Sequence, residues 1–259
     1  MCELLGMSAN VPTDICFSFQ GLIQRGGGTG PHKDGWGIVF YEGKGIREFR
    51  DPDPGVDSEV ARLVQRYPIK SCYVISHIRQ ANMGPICLEN THPFTREVWG
   101  ENWTFAHNGQ LPHFDSLTLG KDVPIGTTDS EHAFCWLLQE LRTTFDRSPD
   151  PQTLKAFLHP RCEQLRAMGV FNLLLSNGRF LLAYCSTKLQ WITRRAPFGK
   201  AQLTDADVAI DFAGETTPND VVTVVATEPL TNNERWHKML PGEMVLFVDG
   251  EFWAGSGGK

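Results

Sequence analysis

The chain has 259 residues, of which 41% are hydrophobic and 21% charged, with a formal net charge of −6. That apolar content is enough to bury a substantial core, and the composition is not that of a disordered chain. With no stripe of Lys and Arg to neutralise phosphates, and no apolar run near the ~18 residues that span a bilayer, nucleic acid and membrane are both set aside as partners.

The start, MCELLGMSAN, carries an acid at Glu3 and no positive region, so it does not read as a signal peptide. The seven cysteines show no zinc or redox spacing. Cys72 and Cys135 sit in apolar runs and read as buried small hydrophobes. The eight histidines show no HExxH or HxH spacing, so no metal is expected. A reduced, cytoplasmic protein is the expectation.

In chain order, Cys2–Ser8 reads as a strand. A helix follows over Asp14–Gln24, with Ile15, Phe19, Leu22 and Ile23 on one face and Thr13 or Asp14 as cap. Gly26–Gly30 is a glycine-rich loop without the Lys-Ser/Thr pair of a phosphate-binding loop. Trp36–Glu42 and Ile46–Arg50 form a hairpin around Gly43–Gly45. Val56–Arg66 is a short helix. Ser71–Arg79 is a strand whose alternation puts Tyr73, Ile75, His77 and Arg79 on one face. Asn102–His107 is a strand ending at Asn108-Gly109.

Thr128–Arg142 is the clearest helix. Thr128 and Glu131 match a capping box, and Phe134, Leu137, Leu138 and Leu141 form its apolar face. A second helix runs over Pro151–Met168. Val170–Ser176 and Arg179–Ser186 pair across Asn177-Gly178, a type I′ signal. Val221–Thr227 and Glu243–Asp249 are further strands, the last turning at Asp249-Gly250. The end, Gly255–Lys259, is expected to fray. Hairpin-paired strands with helices between strand groups favour antiparallel sheets covered by helices, an α+β fold. No linker is long or polar enough to divide residues 1–259, so one domain is expected.

Five short motifs carry chemistry. A Met1-Cys2 start allows removal of the initiator methionine, leaving Cys2 with a free α-amine beside its thiol. Such an amine, with a pKa of about 7.7–8.0, can act as a base near neutral pH. In SHIRQANMG, a strand delivers Arg79, whose planar fork suits a carboxylate. In FAHNGQL, the ordinary meaning of Asn108-Gly109 is a hairpin turn. Its functional meaning is a pair of oxyanion donors, the Asn108 amide and the Gly109 N–H. In GTTDSEHAF, Asp129 lies in the first turn of a helix, where an acid already complements the dipole. It could also hold the ammonium group of an amino acid. ENTHPF places His92 in a loop, a structural residue near the substrate loop.

Together these pieces resemble the class II glutamine amidotransferases. They are Met1-Cys2, His77-Ile78-Arg79, Asn90-Thr91-His92-Pro93, His107-Asn108-Gly109 and Thr128-Asp129-Ser130-Glu131, in matching order and approximate spacing. DGWG at Asp34–Gly37, containing Trp36, and ATEPLTNNERWHKM at Ala226–Met239 look like the stand-alone, YafJ-like branch. The resemblance implies a four-layer αββα sandwich of the N-terminal-nucleophile hydrolase type. It implies Cys2 as nucleophile, Asn108 and Gly109 as oxyanion hole, and Arg79 and Asp129 as clamps on glutamine. His77, Asn82 and His107 are further candidates for substrate contact, with His92 and Trp36 as structural neighbours.

The implied reaction needs no cofactor: the Cys2 thiolate attacks the glutamine amide, ammonia leaves, and water releases glutamate from a thioester. The chain departs from relatives that often have an aromatic residue after the arginine; Gln80, Asn82 and Met83 occupy those positions here. Three readings stay open. In the first the chain serves a separate ammonia-accepting enzyme, in the second it hydrolyses another γ-glutamyl compound, and in the third it is a non-catalytic amino-acid sensor.

Overall fold

The computed structural model describes residues 2–212 and 217–253. The first half contains β1 (Glu3–Asp14), α1 (Cys16–Gln24), β2 (Trp36–Glu42), β3 (Gly45–Asp51), α2 (Glu59–Arg66), β4 (Lys70–Ile78), β5 (Phe94–Val98) and β6 (Glu101–Gln110). Two long helices follow, α3 (Asp129–Thr144) and α4 (Pro151–Met168). Then come β7 (Val170–Ser176), β8 (Leu181–Tyr184), β9 (Gln190–Arg195), β10 (Lys200–Gln202) and β11 (Ala209–Asp211). The last strands are β12 (Val221–Ala226), β13 (His237–Lys238), β14 (Met244–Val248) and β15 (Glu251–Phe252).

Two sheets dominate. One has seven strands in the order β13-β9-β12-β1-β4-β2-β3, and the other six in the order β15-β14-β8-β7-β6-β5. Strand neighbours pair antiparallel, as hairpin-rich sequence favours. Alternation along each strand sorts side chains into layers. Leu5 and Met7 of β1 join Ile38, Phe40 and Val74 beneath Phe19, Leu22, Ala61 and Val64 of α1 and α2. Leu4, Val39 and Ile75 point the other way and meet Ala106, Leu174, Leu181 and Val245 of the second sheet. On that sheet's far side, Phe105, Phe171 and Leu173 pack beneath Phe134, Leu137, Leu154 and Leu158 of α3 and α4. The result is the four-layer α–β–β–α sandwich. No described helix is long and apolar enough to cross a membrane.

Several local expectations change. The first strand does not stop at Ser8: after an irregularity it resumes, pairing Thr13 with Ser71 and Asp14 with Lys70. Strand pairing therefore occupies the proposed caps, and Ile15 sits at the helix N-cap without a side-chain bond. The Asp14 carboxylate still accepts the Cys16 N–H. Asn108-Gly109 is no turn, because β6 runs through Gln110 with Asn108 opposite Asn172 and Gly109 opposite Phe171.

At Asn177-Gly178 only Gly178 has positive φ, so the connection is not type I′. Asn177 instead spends its side chain on Glu101 and the Arg179 N–H, in a wider loop. The turn between β5 and β6 was not legible: Trp99 (φ 57°) and Gly100 (φ 75°) form it, with Trp99 edge-on to Trp103. The capping box is half made. Thr128 Oγ1 accepts the Glu131 N–H, but the Glu131 carboxylate accepts Ile125 and Gly126 N–H groups and pairs with Arg96. The expected fraying of Gly255–Lys259 lies outside the described residues.

Candidate active site

Register brings the motif residues to one end of the sandwich. On the first sheet Glu3 pairs with Ile78, so Cys2, just before β1, falls beside Arg79 and Gln80, just after β4. From the second sheet, β6 delivers His107, Asn108 and Gly109, and the first turn of α3 delivers Asp129. Cys2, Arg79, Asn82, His92, His107, Gly109 and Asp129 line one cleft, together with Gln80, Thr128 and Ser130. A larger cavity of about 560 Å³ lies between α1 and the β9–β11 region, lined by Ile15, Phe17, Phe198 and Phe212. None of the five motifs reaches it.

Cys2 is 8% exposed. Its Sγ accepts the Gln80 N–H at 3.3 Å and lies 3.6 Å from the Gln80 carbonyl oxygen. Burial pushes the thiol up to about 11; the Gln80 N–H and the Arg79 guanidinium oppose that shift without cancelling it. The sulfur is therefore a thiol at neutral pH, and attack by it requires a base at hand.

Arg79 is 3% exposed, and its guanidinium donates to the carbonyls of Pro85 (3.0 Å) and Met83 (2.9 Å). The loop after β4 is thus folded over the arginine that would clamp a carboxylate. Asn90 straps this loop down: its Nδ2 donates to Pro85 O, and its Oδ1 accepts the Thr127 N–H at 2.8 Å. Asp34 Oδ2 accepts the Ala81 N–H at 2.7 Å, holding the loop's first residues to the DGWG segment. Asn82 stands exposed at the rim. Asp129 accepts the Leu111 N–H through Oδ2 at 2.7 Å, while Oδ1 has only a long 3.5 Å contact with Ser130 Oγ. One carboxylate oxygen is thus largely available on the cleft wall.

His77 packs between His92 and the His107 carbonyl; His92 and His107 line the cleft and His77 does not. His107 Nε2 faces the Val170 carbonyl at 3.0 Å, so that nitrogen carries the proton and Nδ1 accepts from Ser130 Oγ at 2.8 Å. The ring thereby ties β7 to the start of α3. His77 faces the second sheet, as alternation predicts, with Nε2 3.2 Å from the His107 carbonyl oxygen. It stacks on His92 at 4.2 Å between ring centroids. Burial drives all three toward the neutral form, His77 down to about 3, with neighbouring positive groups adding to the effect at His77 and His92. None of them is a charged acid at neutral pH.

Gly109 belongs where it is for steric reasons: a Cβ there would lie 1.8 Å from the Val170 carbonyl oxygen. Asn108 is fully buried and does not line the cleft. Trp36 is away from the cleft, on the helix-facing side of the first sheet, tilted against Phe19 at 5.6 Å. Sequence reasoning passed over Gln80, Asn90, Asp34 and Thr227. All four lie inside motifs singled out above, but a hydrogen-bonding role across elements leaves no mark on spacing.

A family model described as glutamine amidotransferases class-II matches residues 1–257. A putative glutamine amidotransferase of Escherichia coli K12, YafJ, is 65% identical over 252 residues, covering 97% of this chain and 99% of the relative. A putative glutamine amidotransferase of Haemophilus influenzae is 47% identical over 251 residues, covering 97% and 85%. The crystal structure of a predicted glutamine amidotransferase from Pseudomonas aeruginosa PA01 superposes with a TM-score of 0.78 at 57% identity, covering 98% of this chain and all of that one.

Proposed function

This chain belongs to the class II glutamine amidotransferases, and we propose that Cys2 is its nucleophile, served by a cleft lined by Arg79, Asp129 and Gly109 with Asn108 buried next to Gly109. The observation that carries this reading is the placement of the Cys2 thiol in one cleft with a buried arginine and a carboxylate, the two groups that hold the ends of an amino acid.

Removal of Met1 exposes the α-amine of Cys2. The amine, directly or through a water, takes the thiol proton as sulfur attacks the side-chain carbonyl carbon of glutamine. The oxyanion of the tetrahedral intermediate is met by the Asn108 amide and the Gly109 N–H. The carbon–nitrogen bond breaks, the proton passes to the leaving nitrogen, and ammonia departs. Water then cleaves the thioester to give glutamate and the free thiol. Arg79 exchanges its carbonyl partners for the substrate carboxylate, and Asp129 takes the ammonium. Fixing both ends places the amide at the sulfur and raises the effective concentration of the reacting pair. His77, His92 and His107 keep the walls neutral and rigid, and Asn82 meets substrate from the rim.

We read residues 1–259 as one glutamine amidotransferase type 2 domain, supported by a family match over 1–257. A separate accepting enzyme would take up the released ammonia. Another γ-glutamyl compound is the second substrate class. It is favoured by the exposed rim position of Asn82, where a group beyond the γ-carbonyl finds a polar contact. Seven free thiols suit a reducing cytoplasm.

The test is intact mass before and after 6-diazo-5-oxo-norleucine. Loss of Met1 and one covalent adduct, absent in Cys2→Ala, is the expected result. Retained Met1 without an adduct would overturn the nucleophile and favour an amino-acid sensor. Turnover of free glutamine against γ-glutamyl thioethers then separates the two substrate classes.

A further inference from the structure

Thr227 directly follows β12 and opposes Leu4, two residues from the nucleophile. Its Oγ1 accepts the Leu4 N–H at 2.9 Å, and its own N–H donates to the Leu4 carbonyl at 3.2 Å. From the second sheet, Asn108 reaches across. Thr104, Ala106 and Asn108 share one face of β6, and Asn108 Nδ2 lies 3.3 Å from Thr227 Oγ1. Asn108 and Leu4 are fully buried, and Thr227 is 3% exposed.

In this arrangement two N–H donors converge on the Thr227 oxygen, while Asn108 Oδ1 is buried without a partner. The hydroxyl has a proton to give, and the amide oxygen has lone pairs to fill. A half-turn of the Asn108 amide about its Cβ–Cγ bond satisfies both: Oδ1 accepts the Thr227 O–H, and Nδ2 is released from the threonine. The two ends of an amide have nearly the same shape, so hydrogen bonding decides which points where. Because the Leu4 N–H already engages the threonine oxygen, the hydroxyl proton is directed elsewhere, toward Asn108.

We propose that Thr227 is a positioning residue that holds Asn108 Oδ1 on its hydroxyl, so that Nδ2 is the end offered to the oxyanion. The inference rests on the oxyanion role proposed for Asn108. The reverse orientation presents an acceptor to a developing negative charge and opposes the reaction. One hydroxyl thus couples the strand that carries Cys2 to the amide that stabilises the intermediate. β-Branching restricts the χ1 of Thr227, which suits this task.

The experiment is glutamine hydrolysis by the Met1-processed enzyme with Thr227→Val, Thr227→Ser, Asn108→Ala and the Thr227→Val/Asn108→Ala pair. Thr227→Val is expected to lower kcat about ten- to a hundredfold with KM nearly unchanged, less than the roughly hundred- to thousandfold loss on removing an oxyanion donor outright. Thr227→Ser should stay within a few-fold of the parent. The double variant should be no slower than Asn108→Ala, because both changes remove the same donor. Wild-type kcat in Thr227→Val, or losses that multiply in the double variant, overturn the proposal. If Thr227→Val does not fold, Thr227→Ala replaces it, and equal losses in Ala and Ser overturn the proposal. Full kcat in Asn108→Ala would instead sink the oxyanion assignment itself, so the two failures are distinct.

Discussion

Gln80 and Cys2, 78 residues apart in sequence, meet at the site: the Gln80 backbone N–H donates to the Cys2 sulfur at 3.3 Å. The contact anchors the thiol at the mouth of the cleft beside Arg79. It also partly offsets a burial that raises the thiol's proton affinity. A nucleophile held neutral until substrate arrives is less exposed to oxidation and alkylation than a standing thiolate.

A pH dependence of stability follows. Folded Cys2 keeps its proton up to about 11, whereas the ordinary value is 9.0. Below the ordinary value both states are protonated, and the stabilisation from a neutral buried thiol is fully present. As pH rises through the folded value, that stabilisation is lost. The melting temperature of the parent minus that of Cys2→Ala should therefore fall across this window. A flat difference shows that Cys2 does not titrate as its burial requires.

Arg79 should act on binding more than on chemistry. Charged hydrogen bonds contribute about 1.5–3 kcal/mol, so Arg79→Ala should raise the KM for glutamine roughly ten- to a hundredfold, with a smaller change in kcat. Steady-state kinetics check this. An unchanged KM removes Arg79 from the carboxylate role.

Gly109→Ala should damage both fold and catalysis. Its Cβ would meet the Val170 carbonyl at 1.8 Å and His107 Nε2 at 2.7 Å, so β6 must part from β7 there. Overpacking of this kind costs about 1–3 kcal/mol. Denaturant melts should show that loss alongside a large fall in glutaminase rate. A variant with parental stability contradicts the close approach.

Glu131 should matter to substrate affinity without touching substrate. It is 1% exposed, accepts the Ile125 and Gly126 N–H groups, and pairs with Arg96. Removing one partner of a buried pair costs about 3–5 kcal/mol, less here because the Arg96 side chain is 21% exposed. The 125–127 segment it releases is bonded through Thr127 to Asn90 and so to the loop over Arg79. Glu131→Ala should lower the melting temperature and raise KM. A lower melting temperature with parental KM would disconnect the segment from the cleft.

Much of this was legible from residue pattern. The helical stripe Phe134, Leu137, Leu138, Leu141 does pack against the second sheet, and Tyr73, Ile75 and His77 do share a face. Both are consequences of backbone period, which every residue of an element obeys. Turns were less legible. Asn177-Gly178 carries hairpin chemistry, yet Glu101 from another strand draws the Asn177 side chain into a wider loop. Trp99 carries none, yet tertiary packing on Trp103 accompanies its positive φ.

The order and type of residues determined the family, the layered antiparallel architecture and the candidate groups, because periodicity and short motifs are local. Only the tertiary structure decided that Arg79 is covered by its own loop, that burial drives His77, His92 and His107 toward the neutral form, and that Thr227 stands between Leu4 and Asn108. Each depends on burial or on a hydrogen bond between distant segments, and the strength of both is set by surroundings that no local pattern contains.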